Sequence, residues 1–199
     1  METAKKATRP RGRPSRKAEI VAATEALLRE KGLSGVTTRA IADSVPCSEG
    51  AIYVHFEDRL ALILAVLEES LPAMLIPLHE LKDMVGMDTV EANLVFALRG
   101  LLEFHQRVMV MMCSLVGEPE LKARFRQSLA GQGRGPERGV ATLAKYIEEE
   151  KALGRVSARV DAKHAARALM AGSFFHGFTE ELLGVEPMDA KGLVAMVLG

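Results

Sequence analysis

Apolar positions along this chain recur at helical spacing almost from end to end. Ile20, Ala23, Leu27 and Leu28 lie on one face of a helix predicted from Arg16 to Lys31. Ser15 is positioned to cap it, and Gly32 to end it in the left-handed conformation. A second helix is predicted from Thr37 or Thr38 to near Val45, with Ile41 inward beside Ala40 or Val45. Pro46 and Cys47 make a turn, and Ser48 caps a third helix, Glu49–Phe56, whose Ile52 and Phe56 face inward. Asp58 caps a long helix, Arg59 to about Leu78, that Pro72 and Pro77 should kink or divide.

The helical pattern continues over Thr89–Gln106, Val108–Leu115 and Glu120–Leu129. The glycines from Gly131 to Gly135, with Pro136, read as a loop. Three further helices are predicted: Glu137–Ala152, Ala162–Leu183 and Ala190–Leu198, with Asp161 as a cap and Gly184 as a stop. Alternating apolar runs are absent, so the fold class is all-α. Residues 1–14 lack periodicity and read as a flexible basic arm.

Charge changes this picture at one end. The formal net charge is zero, yet residues 1–60 hold 11 Lys/Arg against 8 Asp/Glu. The excess sits in the first 17 residues, with seven basic side chains and one acid, Glu2. A basic arm on a neutral body fits a polyanion partner, or a solvated tail. Cys47 and Cys113 do not make a disulfide framework, and no apolar run follows the basic N-terminus. The longest uncharged runs are too short for a membrane span, and a cytoplasmic protein is expected.

Three short helices with a tight turn between the second and third match a helix-turn-helix. A major groove admits one such helix, held outward by apolar locks such as Ile41 and Ile52. The segment from Ile20 to Leu67 resembles the DNA-binding domain of the tetracycline-repressor (TetR) family. Three stretches carry the resemblance: Gly35–Ala42, Gly50–Phe56 and Asp58–Leu67. It implies a three-helix DNA-binding domain over 15–60 and a helical ligand-binding and dimerisation domain over 61–199. It implies roles for Thr38, Tyr53, His55 and Arg59 as phosphate contacts, and for Arg39 at the groove or the backbone. Hydroxyl, imidazole and guanidinium groups are common phosphate partners. Ser48, Gly50, Ala51 and Val54 share the proposed DNA face. Tyr53 alternatively reads as a packing aromatic, and His55 as a half-buried surface histidine.

Three residues depart from the family pattern. Pro46 stands where glycine is usual, Ala51 where Thr or Ser is common, and Glu49 where a longer basic or amide side chain is usual. Glu49 has two readings. An acid near a helix N-terminus gains about 0.3–1 kcal/mol from the dipole. Alternatively its carboxylate accepts from a cytosine amino group. In the arm, Arg11 and Arg13 flank Gly12 in a sequence that resembles the core of an AT-hook, suited to a narrow minor groove. Nonspecific phosphate contact is the other reading.

The body of such a protein is expected to be a dimer with a hydrophobic ligand. Ala165–Phe178 is apolar nearly all round, so one face can meet its own core and the other a second subunit. A central helix in a monomer is the alternative. Phe96, His105, Met109, Met112, Tyr146, Phe174 and Phe175 are candidates to converge on an apolar pocket with one or two polar handles. A methionine-rich core without a cavity is the alternative. The five histidines show no metal-ligand spacing, no nucleophile motif is present, and no cofactor is expected. The expected function is therefore non-enzymatic: a ligand-released repressor on a pseudo-palindromic operator. The alternative is a small-molecule sensor with weakened DNA binding.

Overall fold

A computed structural model describes residues 15–130, 135–186 and 188–199. Among them the chain forms ten α-helices and no strand, as the periodicity predicts. They are α1 Arg16–Gly35, α2 Thr38–Ser44, α3 Glu49–Tyr53, α4 Arg59–Ser70, α5 Ile76–Asp83, α6 Val90–Gly117, α7 Pro119–Leu129, α8 Pro136–Ala152, α9 Ala162–Leu183 and α10 Ala190–Leu198. The basic arm, with Arg11 and Arg13, lies outside the described residues, as does most of the glycine loop.

Local chemistry sets the helix ends. Side chains of Ser15, Thr37, Ser48, Asp58, Thr89, Asp161 and Asp189 each accept a backbone N–H at a helix start. These bonds satisfy amides that lack a partner within the helix. Gly32 breaks α1 with φ 65°, after which the chain makes one more helical turn. Gly184 ends α9 in the left-handed region with φ 61°.

Two elements differ from the sequence reading, and the division expected at Pro72 and Pro77 is present. The third helix closes at Tyr53, not Phe56. Its last turn tightens because the amides of His55 and Phe56 both donate to the Ile52 carbonyl. That turn buries Phe56 and leaves Val54 and His55 outside. The helix after Arg59 is divided by a 3-10 segment, Leu71–Leu75, which contains Pro72; Pro77 then opens α5. The predicted break near Arg107 does not exist. No Gly or Pro occurs between Leu101 and Val116, so α6 runs unbroken for 28 residues.

That long helix is the axis of the body. It packs against α1, α5, α9 and α10, and α9 is held on its other side by α8. Gly177 allows the α6–α9 crossing: a Cβ there would lie 3.1 Å from the His105 Cβ and 3.3 Å from the Gln106 nitrogen. The head and body share one continuous apolar cluster, from Ile20 and Ile52 through Val66 to Leu101 and Val194.

A buried polar cluster pins the turn between α5 and α6. Asn93 Nδ2 donates to the carbonyls of Met84 and Met87 and to the Tyr146 hydroxyl. Glu150, fully buried, accepts from Gly86 N at 3.0 Å and pairs with Arg155 at 3.3 Å. Arg155 also donates to the carbonyls of Met87 and Asp88. Burial pushes the Tyr146 hydroxyl up to about 12, so it stays protonated.

Candidate nucleic-acid interface and ligand cavity

The head holds α3 outward by burying its other side. Ile41 and Ile52 are fully buried, Val45 and Phe56 nearly so, and the half-buried Ala40 and Ala42 let α2 and α3 cross closely. Burying such aliphatic side chains contributes roughly 1.5–3 kcal/mol each. The opposite side carries Arg39, Ser48, Glu49, Gly50, Tyr53, Val54 and His55, all exposed. Tyr53 is 54% exposed and Val54 79%. Apolar bodies left in water beside a helix-turn-helix suit a partner surface.

Gly50 adds a geometric point. A Cβ there would meet nothing closer than the Ser48 hydroxyl at 3.8 Å. The fold itself therefore does not require glycine at this position. Glycine leaves room for close backbone approach from outside. Ala51, by contrast, is half-buried, and its amide donates to the Ser48 cap.

Two of the residues expected at phosphates have partners within the chain. The Thr38 hydroxyl donates to the Glu49 carboxylate at 2.6 Å, joining the first turns of α2 and α3. Glu49 is thus a clasp across the turn, a role that neither sequence reading of it contained. Arg59 turns inward, where its guanidinium donates to the Leu33 carbonyl at the end of α1. It satisfies a helix-terminal carbonyl there, and its Nε is buried without a hydrogen-bond partner. His55 stands edge-on to Phe56 at 6.4 Å between ring centroids, and the Lys17 ammonium lies 5.6 Å from the centre of the same ring.

In the body, the seven expected pocket residues do not converge. His105, Met112 and Phe174 line one apolar cavity of about 130 Å³, walled by Leu67, Leu71, Met74, Phe104, Val108, Phe125, Leu129 and Gly135. The other four lie elsewhere. Phe96 is 42% exposed and lines an outer groove with Ile76 and Arg99. Tyr146 belongs to the Asn93 cluster. Phe175 is 66% exposed, and Met109 is buried but does not line the cavity. On a helix, adjacent residues point about 100° apart, so Phe174 and Phe175 cannot share a wall.

Among the described residues, His105 is the one polar ring in the cavity wall. Its Nδ1 lies 3.0 Å from the Ser173 hydroxyl, and its ring stands edge-on to Phe104 and Phe174. Burial pushes its pKa down to about 4, so the ring is neutral at pH 7. The sequence reading missed Ser173. A hydroxyl amid small and apolar residues on α9 was the signal that it needed a partner.

A link between the cavity and the head was also missed. Arg124 on α7 pairs with Asp58, the cap of α4, at 2.9 Å, and with Glu120 at 2.8 Å. The Ala61 amide, foremost, and the Arg124 guanidinium hold the Asp58 carboxyl below its usual range. Phe125 and Leu129 of the same α7 helix form part of the cavity wall. No local pattern announces a pair 66 residues apart.

Comparison with known proteins agrees with this geometry. Residues 20–66 match the family model described as bacterial regulatory proteins, tetR family. No curated protein matches the sequence. Among solved structures, a TetR transcription regulator from Haloarcula marismortui is 23% identical, covering 92% of this chain and 95% of its own, with a TM-score of 0.71. The fatty acid degradation regulator FadR from Bacillus halodurans is 16% identical, with coverage of 95% and 97% and a TM-score of 0.64. SmeT, the repressor of the Stenotrophomonas maltophilia multidrug efflux pump SmeDEF, is 21% identical, with coverage of 92% and 87% and a TM-score of 0.59. No helix among the described residues is long and apolar enough to cross a membrane. The N-terminal segment matches the family model of tetR-family bacterial regulatory proteins, and the chain as a whole shares its fold with solved TetR-family regulators.

Proposed function

We propose that this chain is a cytoplasmic transcriptional repressor that binds a pseudo-palindromic operator as a homodimer and is released by a largely hydrophobic ligand. The observation that carries the reading is the outward face of α3, where Gly50, Tyr53 and Val54 are exposed over a fully buried Ile52. Residues 15–60 would form the reading head and 61–199 the ligand-binding and dimerisation body. Tyr53, His55 and Arg39 would meet the DNA, with Arg11 and Arg13 of the arm reaching a neighbouring groove. The described head residues carry six Lys/Arg against seven Asp/Glu, so the positive charge for DNA comes from the arm.

Dimerisation is supported by α9. Ala171, Phe175, Phe178 and Leu182 are exposed and spaced by three or four residues, which forms an apolar stripe along the helix. A two-fold partner covering that stripe would set two α3 helices about 34–36 Å apart, or a multiple of it. SmeT is described as a repressor, which supports the same sense of regulation here.

Release by ligand has a physical route. A molecule in the cavity presses on Phe125 and Leu129 of α7 and on Leu67 and Leu71 at the end of α4. Both helices meet at Asp58 and Arg124. A ligand preferring a shifted α4 must weaken operator binding by the same factor as the operator weakens its own binding.

The second reading, a sensor with weakened specific DNA binding, is favoured by one pair of contacts: Thr38 and Arg59 are both engaged within the chain. A titration of the protein's own upstream DNA against random duplex, at several salt concentrations, separates the two. Specific binding with a steep salt slope supports the repressor. Equal affinity for both duplexes supports the sensor.

A further inference from the structure

The hydrogen bonding around His105, which lines the cavity, fixes which ring nitrogen is left as an acceptor. The Ser173 hydroxyl lies 3.0 Å from the Met170 carbonyl and 3.0 Å from His105 Nδ1. A carbonyl only accepts, and a hydroxyl carries a single proton. Both contacts are hydrogen bonds together only when the Ser173 proton goes to Met170 and His105 Nδ1 donates to Ser173. Nε2 is left with a bare lone pair, and no described residue donates to it. His105 is only 6% exposed, so bulk water does not satisfy that lone pair freely.

Among the described residues the rest of the wall is apolar and holds no charged side chain. Its volume, about 130 Å³, is close to the roughly 150 Å³ of a dry cavity that accepts benzene. Resting on the reading of this cavity as the ligand site, we infer that it takes an uncharged, phenol-sized molecule: one apolar ring bearing a single hydrogen-bond donor, given to His105 Nε2. A carboxylate would meet a lone pair instead of a cation and lose its hydration. A hydrocarbon of the same size would fit but leave Nε2 without a partner.

The test titrates the full chain at pH 7 with phenol, toluene and benzoate, by calorimetry. Phenol and toluene are expected to bind saturably and benzoate not to bind. In His105→Leu, phenol affinity is expected to fall about tenfold relative to toluene. A second readout uses the unaltered protein, in case that variant fails to fold. In the nitrogen NMR spectrum of the histidine ring, the unprotonated Nε2 signal should move upfield with phenol and stay in place with toluene. Saturable phenol and toluene binding with an unmoved Nε2, or benzoate binding as tight as phenol, would overturn the inference and leave the cavity as a ligand site. No binding of any probe would overturn both.

Discussion

The head and the body of this molecule leave different groups without partners, and on opposite sides of the surface. The head completes its core, with Ile41 and Ile52 fully buried, and leaves Gly50, Tyr53 and Val54 facing water. The body exposes an apolar stripe too, but its distinctive feature is internal: a neutral histidine in the wall of an apolar cavity. In the head, binding chemistry costs no folding energy, because it lies outside the core. In the body it is built into the core, so binding and stability are coupled there.

The largest effect expected from that contrast lies in the body. Glu150→Ala removes the acceptor of Gly86 and the partner of Arg155 inside the α5–α6 cluster. Breaking a buried pair of this kind costs about 3–5 kcal/mol. Urea denaturation should show the midpoint fall, while the folded fraction keeps its DNA affinity.

Next comes the pH dependence of His105. Its pKa is about 4 in the folded chain and near 6.5 unfolded. Between these values the unfolded state holds more protons, so stability is present above about pH 6.5 and falls as pH drops toward 4. The loss is roughly 3 kcal/mol. Asp58 and Asp161, whose carboxyls are held low, lose their contribution only at lower pH. His105→Leu should flatten the decline between pH 6.5 and 4.5 in denaturation curves.

In the head the sign reverses. Gly50→Ala adds a Cβ that meets no close neighbour, and alanine is the better helix former. The folded state should gain about 0.5–1 kcal/mol, while operator affinity drops. A higher melting temperature with weaker DNA binding would sharpen the contrast; unchanged DNA binding would break it. The smallest effect on stability is expected for Arg124→Gln, which cuts an exposed link between α7 and Asp58. Melting should barely move. If the link carries the signal, the ligand's effect on DNA binding should shrink, which a DNA titration with and without ligand would read.

Much of this was legible in the chain. Caps at Ser15, Ser48, Asp58 and Asp161, the break at Gly32 and the stop at Gly184 act within one or two turns, so composition reveals them. Helix continuity was less legible. The pattern reads as two helices, ending at Gln106 and starting at Val108, yet Arg107 lies on the exposed side of α6 and interrupts nothing. The expected DNA face came from a local motif: Arg39, Ser48, Glu49, Tyr53, Val54 and His55 are exposed, Ala51 is half-buried, and Thr38 and Arg59 are drawn to tertiary partners. Thr38 finds Glu49 eleven residues on, and Arg59 finds Leu33 twenty-six residues back. The cavity was the least legible. Residue type proposes Phe96, Tyr146 and Phe175 as well as Phe174, but only the rotation of α6 and α9 about their axes selects among them.

The most direct test of the central claim is a footprint of the full chain on its own upstream duplex, beside the Tyr53→Ala variant. Tyr53 is exposed, so the variant should fold and melt as the parent does. Two protected blocks are expected about one helical turn apart, or a multiple, occupied by two protomers and lost in the variant. A single block, protection by one protomer, or a footprint indifferent to Tyr53 would contradict that claim.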